Sequence, residues 1–245
     1  MLPTIELESH PNTSDNRDKF SIRTVQVKQA KVMSLAWHST KEGLLAYGTD
    51  EGRVCWVDVL ANARSPTISQ YQHRAGVYCV TWLDTCTLVT CGDGKLVKHN
   101  TNTSKGEELL LQGASGGSNT NKSQVVVYDR GEIKLFLVGY EDGSIHIFNY
   151  DDSKNESPLT LIANIKSQTK LIQSLALHHQ YNADGDQAKF SNYLASANNE
   201  FPVHLFDLTT VLEQREVSSP HILVTPHVTL NGHQQRVIEV KYVPS

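Results

Sequence analysis

The sequence from residue 73 to residue 100, HRAGVYCVTWLDTCTLVTCGDGKLVKHN, contains one copy of the unit that decides the fold. Apolar and β-branched residues dominate Val77–Trp82 and residues 88–91, which predicts two short strands. The Asp93-Gly94 pair follows, and acid-Gly pairs supply the positive φ that a two-residue hairpin requires. A third strand then ends in His99-Asn100. This stretch therefore predicts three antiparallel strands in a row.

The same order of elements recurs along the chain. Copies of the first strand end near positions 37, 82, 129, 177 and 242, with a period of about 45 residues for the first steps. The tight turn recurs at residues 50–52, 93–94 and 141–143, and degenerates at 199–201. The third strand ends in an aromatic or polar pair at residues 56–58, 99–100, 148–149 and 206–207. A fourth, weaker strand closes each unit. One such turn arises easily by chance, but four ordered sets indicate a repeat.

Two further positions indicate the repeat type. His73 and the Gly232-His233 pair precede copies of the first strand, and Trp56-Val57-Asp58 ends a third strand. Four-stranded units with these residues at this period resemble the WD-repeat β-propeller. We therefore predict an all-β, WD40-repeat β-propeller with four full four-stranded blades and partial blades at both ends. The predicted boundaries are a linker or disordered segment over 1–21, a propeller over 22–245, blades over 30–72, 73–122, 123–166 and 167–230, and a partial blade over 231–245.

Both ends of the propeller region contain strands without a complete blade. Residues 22–27 are predicted to be the outermost strand of a blade that is otherwise absent, and the last copy stops after its first strand. We expect the chain to be a fragment of a larger propeller. The alternative is a closed ring of four blades, in which residues 22–27 pair beside residues 237–243.

Composition limits the function. The formal net charge is −4 and the pI about 6.2, which excludes a strongly basic nucleic-acid coat but not a local basic groove. No apolar stretch is long enough to span a bilayer, and the first 18 residues lack the apolar core of a signal peptide. We therefore expect no membrane partner. The four cysteines show no CxxC spacing, and without a signal peptide we expect them to be reduced thiols.

The zinc-site and phosphate-loop motifs are absent or incomplete in the sequence. It contains no HExxH or HxxxH pattern, and residues 116–123 match the spacing of a phosphate loop except at Asn121, which replaces the second glycine. We expect no catalytic residue, no metal and no cofactor. The side chains of Asp58, His73, Asp207 and His233 are expected to join buried hydrogen-bond networks that fix the blades.

The candidate ligand-binding residues lie where the innermost strands begin. Tyr78 offers an aromatic face, Arg236 a forked cation, and further positive charge is available from Lys31, Arg74 and Lys170. Stacking on an aromatic ring beside a cation is how proteins bind single-stranded RNA. The alternative is that Tyr78 packs between blades and Arg236 is a solvated charge.

Three further runs make the resemblance more specific. They are Thr40-Lys41-Glu42-Gly43, Glu141-Asp142-Gly143-Ser144-Ile145 and Thr229-Leu230-x-Gly232-His233. They resemble the gem-associated protein 5 family, the WD-repeat subunits of the SMN complex that recognise small nuclear RNA, and the match extends from about residue 22 to 245. Members carry two seven-bladed propellers, and this stretch is similar to the first part of the second.

The resemblance implies a function. It implies binding of the U-rich Sm site and the cap of small nuclear RNA for spliceosomal assembly, with other SMN-complex subunits as partners. It also implies a location in cytoplasm and nucleus, including nuclear bodies. Two positions of the family's RNA-binding face correspond to Tyr78 and Arg236, the latter replacing a lysine. The competing hypothesis is a WD-repeat scaffold that holds protein partners without contacting RNA, and steep salt dependence of binding would distinguish the two.

Overall fold

The computed structural model describes residues 30–61, 65–112, 122–130, 133–154, 158–165, 170–182, 189–199, 202–214 and 222–242. The predicted strand at 22–27, the segment 1–21 and the phosphate-loop look-alike up to residue 121 lie outside these ranges. The described chain forms four sheets in sequence order, each built around four antiparallel strands. The prediction of an all-β WD40-repeat propeller is confirmed.

Blades 1 and 2 are regular. Blade 1 contains β1 (Val32–Trp37), β2 (Leu44–Thr49), β3 (Val54–Asp58) and β4 (Thr67–Ile68). Blade 2 contains β5 (Val77–Trp82), β6 (Thr87–Gly92), β7 (Lys95–Asn100) and β8 (Gly106–Glu108). In both blades the strands hydrogen-bond in chain order, so each blade is a meander that starts at its innermost strand.

Blades 3 and 4 have longer strands and additions at their edges. Blade 3 contains β10 (Lys122–Arg130), β11 (Ile133–Tyr140), β12 (Ile145–Tyr150) and β13 (Leu159–Ile165), and its outer strand also pairs in parallel with β9 (Leu111–Gln112) and β17 (Ile222–Leu223). Blade 4 contains β14 (Ile172–Asn182), β15 (Lys189–Asn198), β16 (Val203–Asp207) and β18 (Val228–Leu230). The helix α1 (Thr209–Gln214) lies between its third and fourth strands.

The hairpins form as the turn residues predict. Asp93 and Gly94 have φ of 44° and 73°, the positive pair that a tight two-residue hairpin requires. Gly52 has a φ of 83°, and a Cβ there would lie 2.1 Å from the carbonyl oxygen of His73. A glycine is therefore required at position 52 by conformation and by space.

Blades pack face to face through a recurring set of side chains. Val77 and Val80 of β5 pack in one cluster with Ala46 and Trp56 of blade 1. Trp82 donates its indole N–H to the carbonyl of Ala36 at 3.2 Å. The same arrangement recurs at the other end of the array, where residues 237–242 pack on blade 4 through Val237, Val240 and Tyr242. These residues therefore occupy the place of a fifth innermost strand.

Within the described ranges, one face of blade 1 is left open. Val32, Leu35 and Trp37 correspond to Val77, Val80 and Trp82, but they are 53%, 60% and 57% exposed. The equivalent side chains of β5 and of residues 237–242 are covered by a preceding blade. Among the described residues, no sheet takes that place beside β1.

The strand registers correct one detail of the repeat alignment. Each innermost strand has a bulge near its start, and in β10 it lies between Lys122 and Gln124. Counting from this bulge, the residue equivalent to Trp37 is Val127 and not Asp129. The β10–β11 hairpin extends further than the first hairpins of blades 1 and 2. Aligning the repeats by the last residue of the innermost strand therefore places blade 3 two residues too far along the chain.

Candidate functional site

A chain of buried hydrogen bonds fixes blade 2 next to the candidate site. Asp93 Oδ1 lies 2.8 Å from His73 Nδ1, and Thr90 Oγ1 lies 2.8 Å from both His73 Nε2 and His99 Nε2. The chain ends at Ser69 Oγ, 2.8 Å from His99 Nδ1. These five side chains link the connection before β5 to β6 and β7.

Only one arrangement of protons satisfies every bond of this chain when both imidazoles are neutral. Ser69 donates to His99, His99 donates to Thr90, Thr90 donates to His73, and His73 donates to the Asp93 carboxylate. Burial, with a smaller contribution from the nearby His73, lowers the pKa of His99 to about 3, so His99 is neutral at physiological pH. Every polar group is used within the chain, which therefore stabilises the blade and presents no reactive group.

The four residues expected in such networks have different roles. His73 is in the network, as predicted. Asp58 instead accepts the amide N–H of Leu60 and Ala61, and Asp207 accepts that of Thr209, so both cap turns that follow a third strand. His233 is exposed. The network prediction is therefore wrong for Asp58, Asp207 and His233.

A bulge orients Tyr78. Val77 pairs with Gly92 and Cys79 with Cys91, so Tyr78 has no partner on β6. Bulges of this kind change the direction of a side chain. Part of the Tyr78 ring packs near Gly76, where a Cβ would lie 3.5 Å from Tyr78 Cζ, and the residue is 49% exposed. Tyr78 is therefore available to a ligand, contrary to the alternative in which it packs between blades.

The innermost strands enclose a cavity of about 960 Å³, here called the inner cavity. Tyr78 lines it together with Met33 and Gln173, which occupy the bulge positions of blades 1 and 4, and with Ile238 of the fifth strand position. The other residues in contact with the cavity come from the same strands and from the turns beside them: Val32, Ser34, Leu35, Ala75, Cys79, Val80, Asp93, Gly94, Gln124, Glu141, Leu171, Ile172, Ser174, Glu239 and Lys241.

The charges in the inner cavity are mainly negative. Asp93, Glu141 and Glu239 line it, and Lys241, the one cation among the described lining residues, forms an ion pair of 2.8 Å with Glu239. Sequence reasoning missed these acids because it considered only the starts of the strands. The acid-rich turns at residues 93–94 and 141–143 are visible in the sequence, but there they predict only hairpins.

The predicted cations surround the cavity without lining it. Lys31, Arg74, Lys170 and Arg236 are exposed, and none forms a side-chain ion pair with another residue in the described ranges. Each stands one or two positions before an innermost strand or a residue that lines the cavity, so the four lie around its mouth. The structure thus brings Tyr78 to the cavity and leaves the cations at the rim.

A second pocket, of about 420 Å³, lies at the opposite end of the blades, between blades 2 and 3. Its Asp152 carboxylate accepts hydrogen bonds from Tyr150 at 2.5 Å and from Lys98 at 3.0 Å. These two bonds lower the pKa of Asp152. The charges in this pocket satisfy one another, so it is a weaker candidate than the inner cavity.

Neither a metal-binding cluster nor a membrane-spanning helix occurs in the described ranges. They contain no group of three or more histidine, cysteine, aspartate or glutamate side chains placed to hold a metal ion. Within the same ranges, no helix has the length and apolar character needed to cross a membrane.

Comparison with known proteins agrees with the architecture. Residues 64–99, which include most of blade 2, match the family model "WD domain, G-beta repeat". Gem-associated protein 5 of Homo sapiens is 30% identical over an alignment of 253 residues, and that of Mus musculus is 29% identical. Each alignment covers 95% of this chain but only 16% of the relative. The chain is thus a WD-repeat β-propeller protein that is similar over nearly its whole length to a short part of gem-associated protein 5.

Proposed function

We propose that the chain is a subunit of an SMN complex and binds single-stranded RNA at the inner cavity. The RNA is the U-rich Sm site and cap of small nuclear RNA. The proposal draws on the similarity to gem-associated protein 5 and on one observation in particular: Tyr78 is half exposed in a cavity whose mouth carries four cations without ion-pair partners among the described residues.

The electrostatics of the cavity favour one orientation of the RNA. The acids that line the cavity repel phosphates, whereas Lys31, Arg74, Lys170 and Arg236 attract them at the rim. An unpaired base would therefore enter the cavity and stack on Tyr78, with its phosphates outside. Such stacking contributes about 1–3 kcal/mol per base. The proposal involves no covalent chemistry.

We further propose that this chain carries part of a larger RNA-binding surface. Its open face at Val32, Leu35 and Trp37 has the composition that packs against a preceding blade elsewhere in the molecule. Further blades on that side would complete both the propeller and the site. The other partners are subunits of the same complex, in cytoplasm and nucleus.

The exposed apolar strip on β1 also supports a second candidate, a scaffold that binds protein partners without RNA. The salt dependence of binding separates the two. Neutralising four phosphates of a single strand gives a slope of about −2.8 in a plot of log affinity against log salt, so affinity falls roughly 50-fold between about 50 and 200 mM salt.

The experiment is fluorescence anisotropy of a labelled U-rich RNA with the chain across that salt range. We expect binding that weakens steeply with salt and weakens further in Arg236→Ala. The control is Lys154→Ala, because Lys154 lies at the opposite end of the blades and forms an ion pair with Asp151. Absence of binding, or binding insensitive to salt, would reject the RNA function in favour of the scaffold.

A further inference from the structure

The position that follows the bulge has a shared role in three of the four innermost strands. It is occupied by Ser34, Cys79 and Ser174 in blades 1, 2 and 4. Ser34 donates to the carbonyl of Val77 at 2.8 Å, Cys79 to that of Val125 at 3.3 Å, and Ser174 to that of Val240 at 3.4 Å. A short side chain at this position therefore links one innermost strand to the next.

Blade 3 departs from this pattern. Its residue at that position is Gln124, opposite Gly139 in the register of β10 and β11. The Gln124 side chain lines the inner cavity and forms no hydrogen bond with any residue of the described ranges. A long amide side chain thus replaces a short linking one, and its amide group is available to a ligand.

Gln124 is close to Tyr78. The hydrogen bond from Cys79 Sγ to the Val125 carbonyl joins the two strands, and each partner is the chain neighbour of one of these two residues. Consecutive Cα atoms are about 3.8 Å apart, so the backbones of Tyr78 and Gln124 each lie one residue away from this hydrogen bond. Both line the same cavity. One nucleotide therefore has the size to reach both.

The chemistry of the amide fits the edge of a base. A primary amide presents a carbonyl acceptor beside an N–H donor. The edge of uracil presents an N–H donor flanked by carbonyl acceptors, which is the complementary pattern. The neighbouring acids offer only acceptors when ionised, so Gln124 adds a neutral donor to this side of the cavity.

We propose that Gln124 hydrogen-bonds the edge of the base that stacks on Tyr78, and that it is a specificity-determining residue of the RNA site. This inference rests on the proposed function. In the complex, the Gln124 carbonyl accepts the N3–H of uracil and its NH₂ donates to a neighbouring uracil oxygen. The ring of Tyr78 stacks on the base, and Gln124 forms hydrogen bonds with the edge of that base.

The test compares two RNA ligands of equal length and charge, a U-rich oligonucleotide and the same oligonucleotide with abasic sites. We expect Gln124→Ala to weaken binding of the U-rich RNA roughly threefold to tenfold, as for loss of one or two neutral hydrogen bonds, and to leave binding of the abasic RNA unchanged. The matched control is Gln72→Ala, because Gln72 is exposed, does not line the cavity and donates to the carbonyl of Glu51.

Tyr78→Ala distinguishes the possible failures. If Tyr78→Ala weakens binding of the U-rich RNA and Gln124→Ala does not, the role of Gln124 is rejected while the RNA site stands. Equal weakening of both ligands by Gln124→Ala also rejects edge recognition. If the unchanged chain binds neither RNA, the proposed function fails and this inference fails with it.

Discussion

Replacing Thr90 by valine tests the buried hydrogen-bond chain of blade 2. The two side chains have nearly the same shape, but valine leaves His73 Nε2 without its donor and His99 Nε2–H without its acceptor. Thr90 and His99 are fully buried and His73 is 2% exposed, so water does not replace either bond. An unsatisfied buried group costs about 1–3 kcal/mol, which gives a loss of about 2–6 kcal/mol in the free energy of unfolding.

The assay is urea unfolding followed by tryptophan fluorescence. With slopes typical of proteins of this size, we expect the midpoint to fall by about 1–2 M urea. The matched control is Thr81→Val, because Thr81 lies in β5 of the same blade and its hydroxyl forms no hydrogen bond within the described ranges. The control should stay within about 0.5 kcal/mol of the unchanged chain. The argument is refuted if Thr90→Val and Thr81→Val have the same midpoint.

Two further predictions concern stability. Trp82→Ala should lower the free energy of unfolding by about 2–4 kcal/mol, because Trp82 packs edge-on against His38 and donates a hydrogen bond to Ala36. Trp37→Ala on the open face should lower it by less than about 1 kcal/mol. Equal losses for the two variants in urea unfolding would contradict this account of blade packing. His99 has a folded pKa of about 3, below its ordinary value of 6.5, so its contribution is complete above pH 6.5 and is lost as the pH falls from there towards 3. Between pH 7 and 5, the free energy of unfolding of the unchanged chain should therefore fall by about 2 kcal/mol more than that of the His99→Gln variant. Identical pH dependence of the two proteins in urea unfolding would refute this prediction.

Local signals in the sequence predicted much of the fold. Asp93-Gly94 was identified as a tight hairpin because few residues adopt its φ values, and the equivalence of Trp82, Leu177 and Tyr242 followed from spacing. The bulges were not predictable, since one extra residue in a strand leaves the apolar pattern almost unchanged. The shift of two residues in blade 3 has a different cause, the longer β10–β11 hairpin, which moves the end of the strand.

The candidate site was only partly predictable. Tyr78 was identified because a tyrosine stands out at the start of an innermost strand, but its exposure depends on the bulge. The sequence does not mark Gln124 as a binding residue, because its role emerges only from comparison with Ser34 and Ser174, whose hydrogen bonds are visible only in three dimensions. His99 was missed as a network member because it pairs with Leu88 at the position that the apolar Val57 holds opposite Leu45 in blade 1, and its partner Ser69 lies 30 residues earlier.

The most direct test of the central claim is the affinity of U-rich RNA for the chain with Tyr78 unchanged, replaced by phenylalanine and replaced by alanine. Stacking needs the ring and not the hydroxyl, so we predict that Tyr78→Phe binds nearly as well as the unchanged chain. We predict that Tyr78→Ala binds about 5- to 150-fold more weakly, the equivalent of about 1–3 kcal/mol. Equal affinities of the alanine and phenylalanine variants would contradict an RNA site built on Tyr78.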